Sequence, residues 1–517
     1  MKIDNKLLEK YNVAVPRYTS YPPANHFSGG FTSADQETLL VRSNSWQPQH
    51  IALYVHIPFC KKICFYCGCN ACKLISSNEV RSYIDALKKE IVMAARHINR
   101  DRRVTQLHFG GGTPNAIPAE MLTEIVELFR SLYTFAGNAE IAIETNPAYL
   151  DKPYLDALLQ TGFNRFSFGI QDFDNDVLKM VNREPSAMPV TELMAYVKNG
   201  KAIPGKEQDD AAGGKVTVNL DFIYGLPGQT VKSFTATMQQ AAELRPDRLV
   251  TFSYAHVPWL KKHQQILEKR GLPDPKQKTD MFLAGYKVMK NTGYEPIGLD
   301  HFVKKEDELY RALENSQLHR NFQGYCTRGT TGQVYAFGVT AISQLEKAYL
   351  QNTKSIKTYI DEIANGRFPV EKGMRVSDDQ LIIREVITQL MCNKQLDWGD
   401  LAASLGETGA TGKEGTTGIA GTEGKSGTEA LTGMVEKEGT AANSGSAVGS
   451  RGMTADQLKK LVGYDSARLE EMQRDGLLEF DEERLTVTET GSMFIRNIAV
   501  LFDPAFSEQA NKYSKSV

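Results

Sequence analysis

From residue 51 onward, short apolar runs rich in β-branched and aromatic side chains alternate with longer stretches whose apolar residues recur at helical spacing. The strand-like runs are IALYVHI from 51, VTQLHFG from 104, EIAIET from 140, RFSFGI from 165, VTVNLDFIYG from 216 and RLVTFSYAH from 248. Among the helical stretches, residues 79–97 place Val80, Tyr83, Ile84, Leu87 and Ile91 on one face. Near-continuous apolar strands separated by amphipathic helices predict an α/β fold. Six strand–helix units form a parallel sheet covered by helices, curved or closed as a barrel.

Past residue 300 the pattern changes. HRNFQGYCTRGTTGQVYAFGVTAIS, rich in glycine and aromatic residues, reads as a compact loop region rather than a further strand–helix unit. Residues 374–400 and 453–480 read as amphipathic helices and LLEFDEERLTVTETG as a short hairpin, a combination similar to a winged helix. No basic stripe accompanies it, so packing outweighs DNA contact. The predicted organisation is an N-terminal arm over 1–45, a barrel over 46–300, loops and a barrel extension over 301–373, and a smaller, mostly helical C-terminal domain over 374–517. Two segments look inserted. Residues 405–452 hold 13 glycines among Thr, Ser, Glu and Lys and almost nothing apolar, which predicts disorder, and they contain no proline, which excludes a collagen helix. Residues 200–215 read as a surface loop extension.

Charge narrows the function classes. Sixty basic against 62 acidic residues in a chain of 517 leave a formal net charge of -2, with no global field for nucleic acid or an anionic membrane. No apolar run approaches the roughly 18 residues of a membrane span, and the first residues lack the apolar core of a signal peptide. The expected compartment is the cytoplasm, where thiols stay reduced. Of the 7 cysteines, Cys326 and Cys392 stand alone, and five crowd between 60 and 72.

Cys60, Cys64 and Cys67 are spaced as one face of a helix would be, but Pro58, Gly68 and the turn-like CGCN favour a loop. The spacing differs from the paired motif of a zinc ribbon, and only Cys69 and Cys72 are near enough to supply a fourth ligand. Three thiolates holding an iron–sulfur cluster with one iron open is the natural reading.

In parallel sheets, chemistry collects at the carboxyl ends of the strands. The cysteine loop follows the first strand, GGGTP (110–114) the second, ETNP the third and QDF the fourth, so four polar motifs open onto one rim. GGGTP is neither a Walker loop nor a Rossmann fingerprint, and its glycines allow close approach to backbone. Glu144 stands where a carboxylate can accept from ribose hydroxyls, with Asp221 and Gln171 at neighbouring strand ends. Arg183, Arg165 and Arg320 are candidates for carboxylate recognition, Arg183 foremost. His56 and His108 are core histidines or cluster neighbours.

With these motifs assembled, the chain resembles the radical S-adenosylmethionine superfamily, whose hallmark is a C-x3-C-x2-C loop after the first barrel strand, and within it the oxygen-independent coproporphyrinogen III oxidases. YVHIPFC, FYCGCN, GGGTP, NRFSFGIQDF, VNRE, DFIYGLPGQT, YAHVP, LDHF and HRNFQGY carry the resemblance, which runs from about residue 10 to 400 and resumes at 453. It implies a partial (β/α)6 barrel and a 4Fe-4S cluster on Cys60, Cys64 and Cys67, with two molecules of S-adenosyl-L-methionine. It also implies a 5′-deoxyadenosyl radical that starts the decarboxylation of two propionates of coproporphyrinogen III, giving protoporphyrinogen IX. Tyr54, Gly111, Glu144 and Ile342 correspond to contacts of the first S-adenosylmethionine. Tyr66, Gly112, Thr113, Gln171, Arg183, Asp221 and Ala255 correspond to contacts of the second; Tyr66 falls where a phenylalanine is common. Tyr54 and Cys69, the latter in the CGC signature and not an iron ligand, are the implied catalytic side chains. Cys72 lies outside the pattern. A flavodoxin or ferredoxin as electron donor and a monomeric state complete the expectations. The competing readings are a haem chaperone of the same superfamily, and a metal-bearing nucleic-acid-binding protein.

Overall fold

The computed structural model describes residues 5–74, 76–199, 216–410, 453–506 and 513. Both predicted insertions fall largely outside them: 200–215 entirely, and 405–452 except its first six residues, which continue the helix Trp398–Ala410.

The first strand, β1 (Ile51–Ile57), is buried on both faces, as its unbroken apolar run requires. The cysteine loop follows, spanned by the two-residue strands β2 (Phe59–Cys60) and β3 (Cys72–Lys73), which pair in parallel. Then come β4 (Arg103–Gly111), β5 (Thr134–Thr145), β6 (Arg165–Gln171), β7 (Thr217–Tyr224) and β8 (Arg248–Ser253). Strands β1, β4, β5, β6, β7 and β8 lie side by side in that order, all parallel.

Helices separate successive strands and cover the outer face. Residues Ser77–Ala95 form the first, started by Ser76, whose hydroxyl accepts from the Glu79 amide at 3.2 Å. Its apolar stripe of Val80, Tyr83, Ile84, Leu87 and Ile91 is buried in the main core, as its spacing predicts.

The sheet is open and longer than six strands. At one edge, β10 (His301–Lys304) adds antiparallel to β8, and β9 (Tyr294–Ile297) antiparallel to β10. The segment expected to be loop is folded. β11 (Leu318–Asn321) and β12 (Gly324–Thr327) make a hairpin, and β13 (Gln333–Phe337) joins the main sheet parallel to β1. Glycines punctuate this stretch and read as turns, while QVYAF is buried at every position and so shows no period-two signal. β14 (Ile342–Gln344), β15 (Ala348–Asn352) and β16 (Val370–Arg375) then continue antiparallel, giving a 12-stranded sheet.

The C-terminal region packs the helix Asp378–Asn393 against a three-stranded sheet, β17 (Gln395–Asp397), β19 (Arg484–Val487) and β18 (Leu478–Phe480), with short helices Ala455–Leu461 and Ser466–Arg474. The expected terminal hairpin is β18–β19. The N-terminal arm is bound to this region. Tyr18 and Tyr21 donate to Asp503 at 2.9 and 3.0 Å, and Arg496 donates to the carbonyls of Val15 and Pro16. Among the described residues no helix is long and apolar enough to cross a membrane.

Candidate active site

The cysteines are carried on a loop, not a helix, and neighbouring segments fix its path. The Phe65 amide donates to Val181 O at 2.9 Å and Asn182 Nδ2 to Ile63 O at 2.8 Å. From beyond β8, Lys261 Nζ donates to Cys69 O, His263 Nε2 to Cys67 O and Gln264 Nε2 to Tyr66 O, at 2.7, 2.8 and 2.9 Å. The GGGTP glycines serve this loop as well. A Cβ on Gly112 would stand 2.6 Å from Pro58 O, and Gly112 and Thr113 donate their amides to Ile57 O and Phe59 O. The close approach their spacing predicts is made first by the chain's own cysteine loop.

Cys60 Sγ lies 3.3 Å from Thr113 Oγ1, and Arg183 Nη1 donates to Cys64 Sγ at 3.7 Å. Burial pushes the Cys60 thiol up to about 11. Cys67 is pulled below its ordinary value by the Cys69 thiol beside it, helped by Lys261 and His263, against the effect of burial. A thiolate is the form that binds iron. Among the described residues no three His, Cys, Asp or Glu side chains converge on one point as the ligands of a single ion do. A cubane does not ask for that, because it spreads three thiolates over three irons. Three thiols on one braced loop, with guanidinium, ammonium and imidazole groups around them, fit a cluster.

Tyr54 points inward from β1, its ring stacked on His108 at 5.9 Å and its hydroxyl 3.1 Å from His56 Nδ1. His56 Nε2 meets Asn70 O at 2.9 Å; a carbonyl only accepts, so Nε2 carries the proton and Nδ1 accepts from Tyr54. Burial lowers the His56 pKa and keeps that ring neutral. His108 Nε2 reaches Glu144 at 3.0 Å, and the Glu144 side chain is still 45% exposed, leaving its carboxylate open to a ligand.

Asp221 stands three residues before the end of β7, further down the strand than its motif suggested. It accepts from Ser167 Oγ and Asn219 Nδ2 at 2.7 and 2.8 Å, and burial raises its pKa. Gln171 ends β6 with φ 70°, and Arg183 folds back to donate to Gly169 O. Ala255 and Tyr66 are joined through Gln264, which donates to both carbonyls. Val334 opposite Gln344 sets the β13–β14 register and places Ile342 opposite Ala336, itself the partner of Tyr54. Ile342 therefore shares the inner face with Tyr54.

The other two arginine candidates separate. Arg165 is paired with Glu140 at 3.1 Å, deep in the barrel, so it is committed to the scaffold. Arg320, on the β11–β12 hairpin, has no ion-pair partner among the described residues; its guanidinium lies over the Tyr325 ring at 5.0 Å. Three residues beside the site carried no signal of their own: Thr340, 3.4 Å from His56 Nε2, and the pair Asp300 and His301, joined at 2.7 Å. The last two stand inside LDHF, a motif that marks the resemblance without revealing which side chains turn inward. Cys72 Sγ donates to Pro58 O at 3.7 Å, and the side chain packs against the main core.

An open parallel barrel with a three-cysteine loop at its carboxyl rim defines a class, and comparison with known proteins agrees. Residues 54–241 match the model of the radical SAM superfamily. Over 499 residues the chain is 36% identical to the oxygen-independent coproporphyrinogen III oxidase of Synechocystis, covering 96% of this chain and 94% of that one. It is 34% identical to the Escherichia coli enzyme of that name over 507 residues, covering 98% and 96%. The solved structure of the coproporphyrinogen III oxidase of Escherichia coli, described as a radical SAM enzyme, superposes with a TM-score of 0.79 at 32% identity, covering 98% of this chain and all of that one. The chain belongs to the oxygen-independent coproporphyrinogen III oxidase family.

Proposed function

We propose that this site converts two propionates of coproporphyrinogen III to vinyl groups without oxygen, giving protoporphyrinogen IX in haem biosynthesis. The chain is a radical S-adenosylmethionine enzyme whose cofactors are a 4Fe-4S cluster and S-adenosylmethionine. The observation that carries the reading is the meeting, at one end of one parallel sheet, of a braced three-thiol loop with Glu144, Arg183 and Asp221. Each propionate gives up carbon dioxide, one hydrogen atom from its β-carbon and one electron, so the site must hold an acid, admit a hydrogen-atom acceptor and exclude water. The cluster and S-adenosylmethionine, when bound, supply that acceptor through one-electron cleavage of a sulfonium bond.

The chain's own residues position and shield. Cys60, Cys64 and Cys67 hold the cluster, and Arg183 lies beside Cys64 to offset thiolate charge. Tyr54, Gly111, Glu144 and Ile342 receive one S-adenosylmethionine. Tyr66, Gly112, Thr113, Gln171, Arg183, Asp221 and Ala255 receive a second. Glu144, oriented by His108, and Asp221, oriented by Ser167 and Asn219, present carboxylate oxygens to hydroxyl donors. The Tyr54 hydroxyl is held by neutral His56 on the inner face, and Cys69 stands beside Cys67 as a thiol without iron. A monomer in the cytoplasm, fed single electrons by a flavodoxin or ferredoxin, completes the reading.

Anaerobic turnover of coproporphyrinogen III with S-adenosylmethionine and a reductant tests it. The reconstituted protein should form protoporphyrinogen IX, and Cys64→Ala should lose both the visible iron–sulfur absorption and all measurable turnover. Equal activity in the two proteins would overturn the assignment. Tight haem binding with no decarboxylation would favour a chaperone.

A further inference from the structure

Arg320 is the conspicuous unspent group near the site. Its Nε and Nη1 are shielded from solvent and have no hydrogen-bond partner, and its neighbours on the hairpin are unsatisfied too: His319 Nδ1, Asn321 Nδ2 and Gln323 Oε1. Buried polar groups without partners cost stability, more when charged, so four such residues in one turn call for a ligand. Aromatic contacts orient the group: Tyr325 lies under the guanidinium, and His301 meets the Tyr325 ring edge-on at 5.0 Å.

Two more arginines gather here from distant parts of the chain. Arg17, on the N-terminal arm, is exposed and has no ion pair among the described residues. Arg496, held on the arm's carbonyls, is pushed down to about 9 by burial and by the charges of Arg17 and Arg320. The carboxylate that feels both Arg17 and Arg320 is Asp300, and it is already engaged by His301. His301 also acts on Asp221, which ties this cationic group to the barrel interior. Arg17 and Arg320 thus act on one carboxylate that His301 already engages.

We propose that Arg320, assisted by Arg17 from the arm, receives a propionate carboxylate of the substrate and makes the enzyme selective for acidic tetrapyrroles. Guanidinium suits a carboxylate because it offers parallel donors in a fork. The inference rests on the coproporphyrinogen reading.

The test uses reconstituted enzyme and coproporphyrin III, the oxidised macrocycle that does not react, titrated by its fluorescence beside its tetramethyl ester. Wild type should prefer the acid to the ester. Arg320→Gln should bind the acid at least about tenfold more weakly, the loss set by a charged hydrogen bond, and bring the acid-to-ester ratio toward one. Arg320→Lys should restore part of the preference, and Arg17→Gln should shift it the same way by less. In turnover, KM should rise more than kcat falls. Wild-type preference in Arg320→Gln would overturn the inference while leaving the parent reading intact, provided wild type still makes protoporphyrinogen IX. If wild type neither binds nor decarboxylates, the parent reading itself has failed. Should both Arg320 variants misfold, Arg17→Gln decides, since that side chain is exposed: an unchanged acid-to-ester ratio there refutes the cluster.

Discussion

Glu140 and Asp221 both lie half-buried inside the same barrel, and their carboxyls answer desolvation in opposite ways. Glu140 is held below its ordinary value despite desolvation, because Arg165 and Arg248 stand beside it. Asp221 has hydroxyl and amide donors but, among the described residues, no cation bonded to it, and burial raises its pKa. The lower layer of the barrel is closed on itself: Gln106 and Arg165 on Glu140, Arg248 on Asp307 and Glu308. The upper layer keeps charges and donors open. Stability is built where charges find each other, and binding where they do not.

The largest effect should come from breaking the lower layer. Arg165→Met would leave Glu140 beside one cation fewer and cost about 3–5 kcal/mol, read as a lower midpoint in urea unfolding. A loss under 1 kcal/mol would mean that Arg248 alone neutralises the layer. A third acid, Glu90, sharpens the contrast from the outer face of the sheet. It accepts from Gly338 N, Asn352 Nδ2 and Tyr359 Oη, yet burial raises it from 4.5 to about 7. Folding therefore takes up a proton between those values. This contribution is complete below pH 4.5 and fades as pH climbs toward 7, by about 3 kcal/mol. Glu90→Gln should flatten that slope, and an unchanged stability-versus-pH curve would refute it.

The smallest effect should come from the upper layer, with the opposite sign. Asp221 has a raised pKa, so its charge opposes folding at neutral pH and stops doing so as pH falls below 3.8. Asp221→Asn should raise the thermal midpoint of the ligand-free protein at pH 7, with no gain near pH 3, while S-adenosylmethionine protects it less. Destabilisation at pH 7 would show that the Ser167 and Asn219 hydrogen bonds outweigh the buried charge.

How much of this was legible depended on the kind of signal. The six strands from 51 to 253 announce themselves because burial on both faces forces continuous apolar runs, and the cysteine spacing is metal chemistry written in consecutive residues. β13 was hidden, since QVYAF between glycine-rich turns looks like any loop and gains its meaning from pairing with β1. Arg165 and Arg320 were equivalent as letters. One bonds Glu140 and the other bonds no acid among the described residues, a difference of partners 25 residues away in the first case and of an unfilled hairpin in the second.

The sequence by itself determined the class of chemistry, the parallel sheet and the rim where its motifs open, because period, apolar continuity and thiol spacing are local properties that a chain carries before it folds. Only the tertiary structure decided which charges are spent and which are open. That choice arises from segments distant in the chain arriving at one place: Arg165 meets Glu140, while Arg320 on its hairpin keeps buried donors without a partner, and loss of water makes them count.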